Sequence, residues 1–154
     1  MNDFMRLAIE SARQGVRDND GGPFGACLVR GGEMVIVEHN TVLRDQDPTA
    51  HAEVNAIRAA CRKLGTFSLG DCELYTTAEP CPMCLAAIYW SRLARVHIGV
   101  SRDVAAQFGF DDARFYIELR LPLEERAIPF TKDAMREECH DVFRYWKNLN
   151  RPLY

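Results

Sequence analysis

Apolar residues recur along this chain at two spacings, one helical and one strand-like, and the two alternate. Phe4, Leu7, Ala8, Ser11 and Ala12 fall on one side of a 3.6-residue repeat, which predicts a helix over 3–17. Phe24–Arg30 and Glu33–His39 read as strands, joined at Gly31-Gly32, a dipeptide that suits a two-residue hairpin turn. Helical spacing returns over His51–Leu64 through Val54, Ile57, Cys61 and Leu64, with Gly65 as the stop. Cys72–Thr77 is the next strand. The helix predicted over Cys81–Arg92 is apolar nearly all round and so needs cover on several sides. A strand at Arg95–Val100, a short helix near Asp103–Phe108 and a fifth strand near Ala127–Phe130 follow. Met135, Cys139, Val142, Trp146 and Leu149 then mark a final helix. Residues 110–126 mix aromatic, apolar and charged residues at no clean period. Strands alternating with helices after an initial hairpin point to a layered α/β domain with helices on both faces of one sheet.

Composition narrows the class. With 154 residues, 47% of them hydrophobic, one domain over 1–154 can bury a sufficient core without disulfides. The six cysteines are then expected as reduced thiols in a cytoplasmic protein. The charged opening, Met-Asn-Asp-Phe-Met-Arg, does not read as a signal peptide, and no apolar run approaches the ~20 residues a membrane helix needs. A net charge of −3 gives no general attraction to nucleic acid or to anionic membranes.

Candidate chemistry is concentrated in two places. His51-Ala52-Glu53 is followed 27 residues after the glutamate by Pro80-Cys81-Pro82-Met83-Cys84. A Cys-x-x-Cys alone is a weak signal, shared by redox pairs and structural zinc sites. Joined to His-x-Glu it supplies one imidazole, two thiols and a spare carboxylate, the set used by zinc-dependent base deaminases. His51, Cys81 and Cys84 are three ligands for Zn²⁺, one short of a closed cage, so a vertex remains for water. Two thiolates make the metal a milder Lewis acid than three histidines, where bound water falls from roughly 15.7 to about 7. More of the proton work then falls on a neighbouring base, and Glu53 is placed for it.

Spacing also constrains the local fold. Residues two apart on a helix point to nearly opposite sides, so His51 and Glu53 serve one site only if a helix begins there. Asp47-Pro48-Thr49 supplies that boundary. Cys81 and Cys84, three apart, share a helical face, with Pro82 suited to its first turn. The N–H groups of that turn favour thiolates. Two plainer readings compete. A redox pair leaves His51-Ala52-Glu53 unexplained. A structural zinc site needs a fourth soft ligand, and Cys27, Cys61, Cys72 and Cys139 form no second close pair. His39, His97 and His140 read as ordinary strand or surface histidines. Glu79 is either a partner to the metal ligands or a solvated turn carboxylate.

The chain resembles the cytidine-deaminase-like superfamily in Gly22-Pro23-Phe24-Gly25-Ala26, in Asp47 through Glu53 and in Glu79 through Cys84. More narrowly it resembles the bacterial guanine deaminases of that fold. That match lies in Ile88-Tyr89-Trp90-Ser91-Arg92, Gly109-Phe110-Asp111-Asp112, Glu124 through Phe130 and the closing Tyr154. The resemblance implies a three-layer α/β/α fold with a mixed five-stranded sheet and one zinc ion per subunit. It implies hydrolysis of guanine to xanthine and ammonia, with zinc-bound hydroxide as nucleophile and Glu53 as proton shuttle. It also implies a homodimer in which the C-terminal segment, about 131–154, can come from the partner subunit.

Substrate contacts are expected from Phe24, Asn40, Ala52, Trp90, Asp112 and Tyr154. Phe24 can stack on a base or pack in the core, and Trp90 can line the pocket or the core. Asn40, at the end of the second strand, offers an amide edge to a purine or a plain turn. Guanine presents N–H donors at an edge where adenine presents none, so an acidic residue reads it, and Asp111 competes with Asp112 for that role. Other deaminase branches remain open: guanosine, cytosine and tRNA adenosine. The tRNA branch needs a grip on phosphates. Thr131–Tyr154 carries five Lys/Arg against four Asp/Glu, a balance of +1. A non-catalytic zinc-stabilised protein would have no need of Glu53.

Overall fold

A computed structural model describes residues 3–154. A helix α1 (Asp3–Arg17) leads into the hairpin β1 (Gly25–Arg30) and β2 (Glu33–His39). A single helical turn α2 (Val42–Asp45) precedes α3 (Ala52–Leu64), β3 (Cys72–Ala78), α4 (Pro82–Trp90) and β4 (Arg95–Val100). The chain ends in α5 (Arg102–Gln107), α6 (Ala113–Arg120), a 3₁₀ turn at Leu123–Glu125, and α7 (Arg136–Asn148). Two compact units result, one ending at Arg114 and the other spanning Phe115–Tyr154. No helix among the described residues is long and apolar enough to cross a membrane.

The first unit is built on a four-stranded mixed sheet in the order β2-β1-β3-β4. β1 runs antiparallel to β2 and β3, and β3 runs parallel to β4. The hairpin turn is made by Gly31 and Gly32 at φ +58 and +83, both in the region where a side chain would be strained. β1 is buried along five of its six residues, because helices cover both of its faces. Ala26 and Leu28 face α3 and α4 in a core with Ala52, Ala56, Ile57, Leu74 and Ile88. Cys27 and Val29 point the other way, with Tyr75, onto Ala8 and Phe4 of α1. The period-2 alternation of one central strand thus produces three layers.

Three expectations need correction. Ala127–Phe130 is not a strand: it runs as bends and extended backbone, and the sheet has four strands rather than five. Pro129 lacks the N–H that a ladder position requires. The unreadable stretch 110–126 holds a helix, α6, none of whose residues is buried. Its apolar residues Phe115, Ile117 and Leu119 sit two apart, a strand-like spacing that masks the helix in sequence. α4 buries only Cys84 and Ile88, leaving Leu85, Tyr89 and Trp90 exposed rather than covered on several sides.

Candidate active site

Two helix starts meet at the metal-ligand cluster. His51 is the residue before the first turn of α3, with extended backbone at φ −72 and ψ 153. This sharp entry lets its ring share a site with Glu53, as the spacing required. Cys81 holds the same position on α4, at φ −65 and ψ 168, with Pro82 opening the helix and Cys84 in its first turn. His51 Nδ1 lies 3.6 Å from Cys81 Sγ and 3.4 Å from Cys84 Sγ. The three ligand atoms all fall within 4.8 Å of one another, and they are the one such group among the described residues. Ligands at Zn–N of 2.0–2.1 Å and Zn–S of 2.3 Å, set tetrahedrally, stand about 3.6 Å apart. The donor set and its spacing therefore fit one zinc ion.

Electrostatics around the cluster follow from its burial. A hydrogen bond from the Cys84 thiol, reinforced by His51, holds the Cys81 thiol down at about 4. Cys84 is pushed up, first by sharing its proton with Cys81, then by burial and by the charge of Glu53. His51 is raised by its contact with Cys81. Glu53 is only 6% exposed, and burial raises its carboxyl above the usual range. Glu53 Oε2 lies 3.5 Å from Cys84 Sγ, so the carboxylate stands against the ligand cluster.

The remaining expected residues divide. Phe24 is half-buried and meets Phe110 edge-on, with ring centroids 4.8 Å apart. Asn40 is buried; its Oδ1 accepts from the backbone N–H groups of Gly22 and Val42, both at 3.2 Å. Its acceptor is thereby used, and what it retains for a ligand is an NH₂ donor. Ala52 packs its methyl wholly into the core, so only its backbone N–H, at the first helical position, remains to serve a site. Asp112 is half-buried, and its carboxyl is raised first by burial and then by the charge of Cys81. The exposed Asp111 instead accepts from Ala113 N–H at 2.9 Å, in the turn that starts α6. Trp90 is 67% exposed and so is not a core residue. Tyr154 belongs to the second unit and is 69% exposed.

Other polar residues find structural work. His39 pairs with Asp20 at 2.8 Å, His97 with Glu73 at 2.6 Å, and His140 is exposed. Glu79 is not simply a solvated turn carboxylate, since its Oε2 accepts from Arg102 N–H at 3.0 Å. It thus ties the residue before the Pro80-Cys81 turn to the start of α5. Two residues near the site carried no assigned role in the sequence reading: Phe110, which packs on Phe24, and Asn55 on α3. The signals were their places, beside Asp111-Asp112 and two residues beyond Glu53.

Residues 1–100 match the family model for the cytidine and deoxycytidylate deaminase zinc-binding region. The chain belongs to that family. It is 47% identical to the guanine deaminase of Bacillus subtilis over 146 residues, which is 95% of this chain and 93% of that one. The solved structure of Bacillus subtilis guanine deaminase superposes with a TM-score of 0.94 at 46% identity, covering 100% and 99% of the two chains. A structure from a study of A-to-I editing by tRNA:A34 deaminases gives 0.64 at 36% identity, covering 82% and 94%. Identity, coverage and superposition are all higher for the guanine deaminase.

Proposed function

We propose that this zinc deaminase hydrolyses guanine to xanthine and ammonia. The observation that carries this reading is the likeness to guanine deaminase along 95% of the chain, well past the shared zinc motif that ends at Cys84. When bound by His51, Cys81 and Cys84, zinc would polarise a water for attack on the amino-bearing carbon. Glu53 takes the proton released there and delivers it to the adjacent ring nitrogen. It would then collect the remaining proton from the hydroxyl now on that carbon and pass it to the amine, which leaves as ammonia as the carbonyl forms. Its raised affinity for protons suits a group that must both accept and donate near neutrality. The Asn40 NH₂ meets a ring or carbonyl acceptor of the purine, Asp112 accepts from its N–H donors, and Phe24, backed by Phe110, offers a ring face. With a net charge of −3 the chain has little to hold a tRNA. Ammonia release measured across guanine, guanosine, adenine, cytosine and cytidine should rank guanine first in kcat/KM. Preferential turnover of cytosine or cytidine would remove the reading.

Asp112→Asn should lower kcat/KM for guanine by about 10³-fold, because a site built around a hydrogen bond discriminates by roughly 10⁴-fold when that bond is lost. Asp111→Asn should leave kcat/KM within a few-fold and stability nearly unchanged, because the asparagine Oδ1 still accepts from Ala113 N–H. Steady-state kinetics of the pair decide which carboxylate reads the base. The reverse ranking would transfer the role to Asp111.

The same reading extends to assembly. No residue of α6 or α7 is buried, and Phe115, Ile117, Val142, Phe143 and Tyr145 stay exposed on them. Apolar surface of that extent marks an interaction face. It supports a homodimer in which residues 131–154 are exchanged and Tyr154 completes the partner's pocket. Deleting Tyr154 should reduce kcat/KM by about 10-fold or more, with the melting temperature nearly unchanged. Co-expression with Glu53→Gln chains should restore activity, because each mixed dimer then holds one site with both Glu53 and a partner Tyr154. Unreduced activity of the deletion variant would make the tail ordinary.

A further inference from the structure

Asn40 meets the substrate in the reading above, yet it lies just past the end of β2, and its amide must keep register with the zinc-ligand helix. We infer that Asn55, two residues beyond Glu53, is the positioning residue that locks Asn40 to the start of α3. Its side-chain nitrogen lies 3.0 Å from His39 O, 2.9 Å from Thr41 Oγ1 and 3.3 Å from Ala50 O. Those acceptors flank Asn40 on both sides and adjoin His51. The Thr41 hydroxyl gives its hydrogen to Asp45 Oδ2 at 2.7 Å, so toward Asn55 it can only accept. Thr41 N–H in turn donates to Ala50 O at 2.9 Å, closing the loop onto the residue before His51. On its own helix, Asn55 N–H donates to His51 O at 2.9 Å, so the clamp rises from the same turn that carries Glu53.

The far side of Asn40 is fixed as firmly. Its N–H donates to Phe24 O at 3.0 Å, and its Oδ1 is held by Gly22 and Val42. At Gly21 a Cβ would stand 2.1 Å from that Oδ1 and 2.6 Å from Asn40 O, so only glycine lets the loop approach so closely. Gly22, Val42 and Phe24 thus hold Asn40 directly, and Asn55 ties it to the catalytic helix through its neighbours His39 and Thr41. Its contribution is to placement: a shift of about 1 Å at such a group can cost about 10²-fold in rate.

This inference rests on the reading of Asn40 as a substrate contact, and a double-mutant cycle separates the two. Asn55→Ala should lower kcat/KM for guanine by about 100-fold per zinc-loaded chain, with zinc content unchanged at one per chain. In an Asn40→Ala background the same substitution should cost less than about 3-fold, because a residue that acts through Asn40 loses its effect when that amide is gone. Thr41→Val, which keeps the buried shape and removes one acceptor, should lower kcat/KM by about 5-fold and couple to Asn40 in the same way. This variant serves if Asn55→Ala folds poorly. Losses that simply multiply, or a lowered melting temperature with unchanged kcat/KM per zinc-loaded chain, would overturn the assignment and leave Asn40 in place. An unaltered kcat/KM in Asn40→Ala itself would remove both Asn40 and this role for Asn55.

Discussion

Glu53→Gln is expected to keep one zinc per chain and to lose about 10³-fold in kcat, equivalent to roughly 4 kcal/mol of transition-state stabilisation. The expectation follows from two separate placements. Glu53 lies outside the three-ligand group, so its replacement leaves the imidazole and both sulfurs where they are. It also stands 3.5 Å from Cys84 Sγ and is buried, so no solvent-borne base easily takes its place. Glutamine preserves the shape, but it cannot take up and return a proton at neutral pH. Folding should not suffer, since burying a neutral amide costs less than burying a carboxylate. Metal analysis alongside steady-state turnover checks both halves. Undiminished turnover would strip Glu53 of the shuttle role, and loss of metal would make it a ligand.

Removing the metal should have the second large effect, on activity and stability together. Chelation, or Cys84→Ala, is expected to reduce turnover to background. Restored zinc should rescue the chelated protein and not the variant. Because the three ligands come from the starts of two different helices, the ion cross-links α3 to α4. At a free zinc concentration of 1,000 times Kd, binding stabilises the native state by about 4 kcal/mol. For a chain of this size that corresponds to about 8–16 °C in melting temperature. Calorimetry with and without zinc measures it directly. Full activity in chelated protein would contradict a metal-dependent reaction.

The parts of this molecule that could be read from sequence are those where local geometry leaves few choices. Histidine and glutamate two apart can serve one site only at a helix start, and His51 is found there with extended backbone. Cysteines three apart behind a proline suit one helical face, as Cys81 and Cys84 do on α4. The central hairpin was legible because Gly31-Gly32 permits the positive φ values it adopts. What stayed hidden depends on tertiary partners. The apolar residues of α6 fall two apart and none is buried, so no helical period was there to read. Ala127–Phe130 looked like a strand by composition, but Pro129 and the sheet order leave β4 without that neighbour. Asn55 offered only its place two residues beyond Glu53, since its three acceptors lie 5, 14 and 16 residues away. Asp111 and Asp112 could not be told apart in sequence; Asp111 accepts from a backbone turn, whereas Asp112 is half-buried, with its carboxyl raised by burial and by the charge of Cys81.

The most direct test is to incubate stoichiometrically zinc-loaded protein with guanine in ¹⁸O-labelled water and to follow base and ammonia together. Hydrolysis assisted by Glu53 should yield one ammonia per guanine consumed and xanthine carrying one labelled oxygen, with no such product from Glu53→Gln. Guanine recovered intact under conditions where cytosine or a tRNA anticodon adenosine is deaminated would contradict the account.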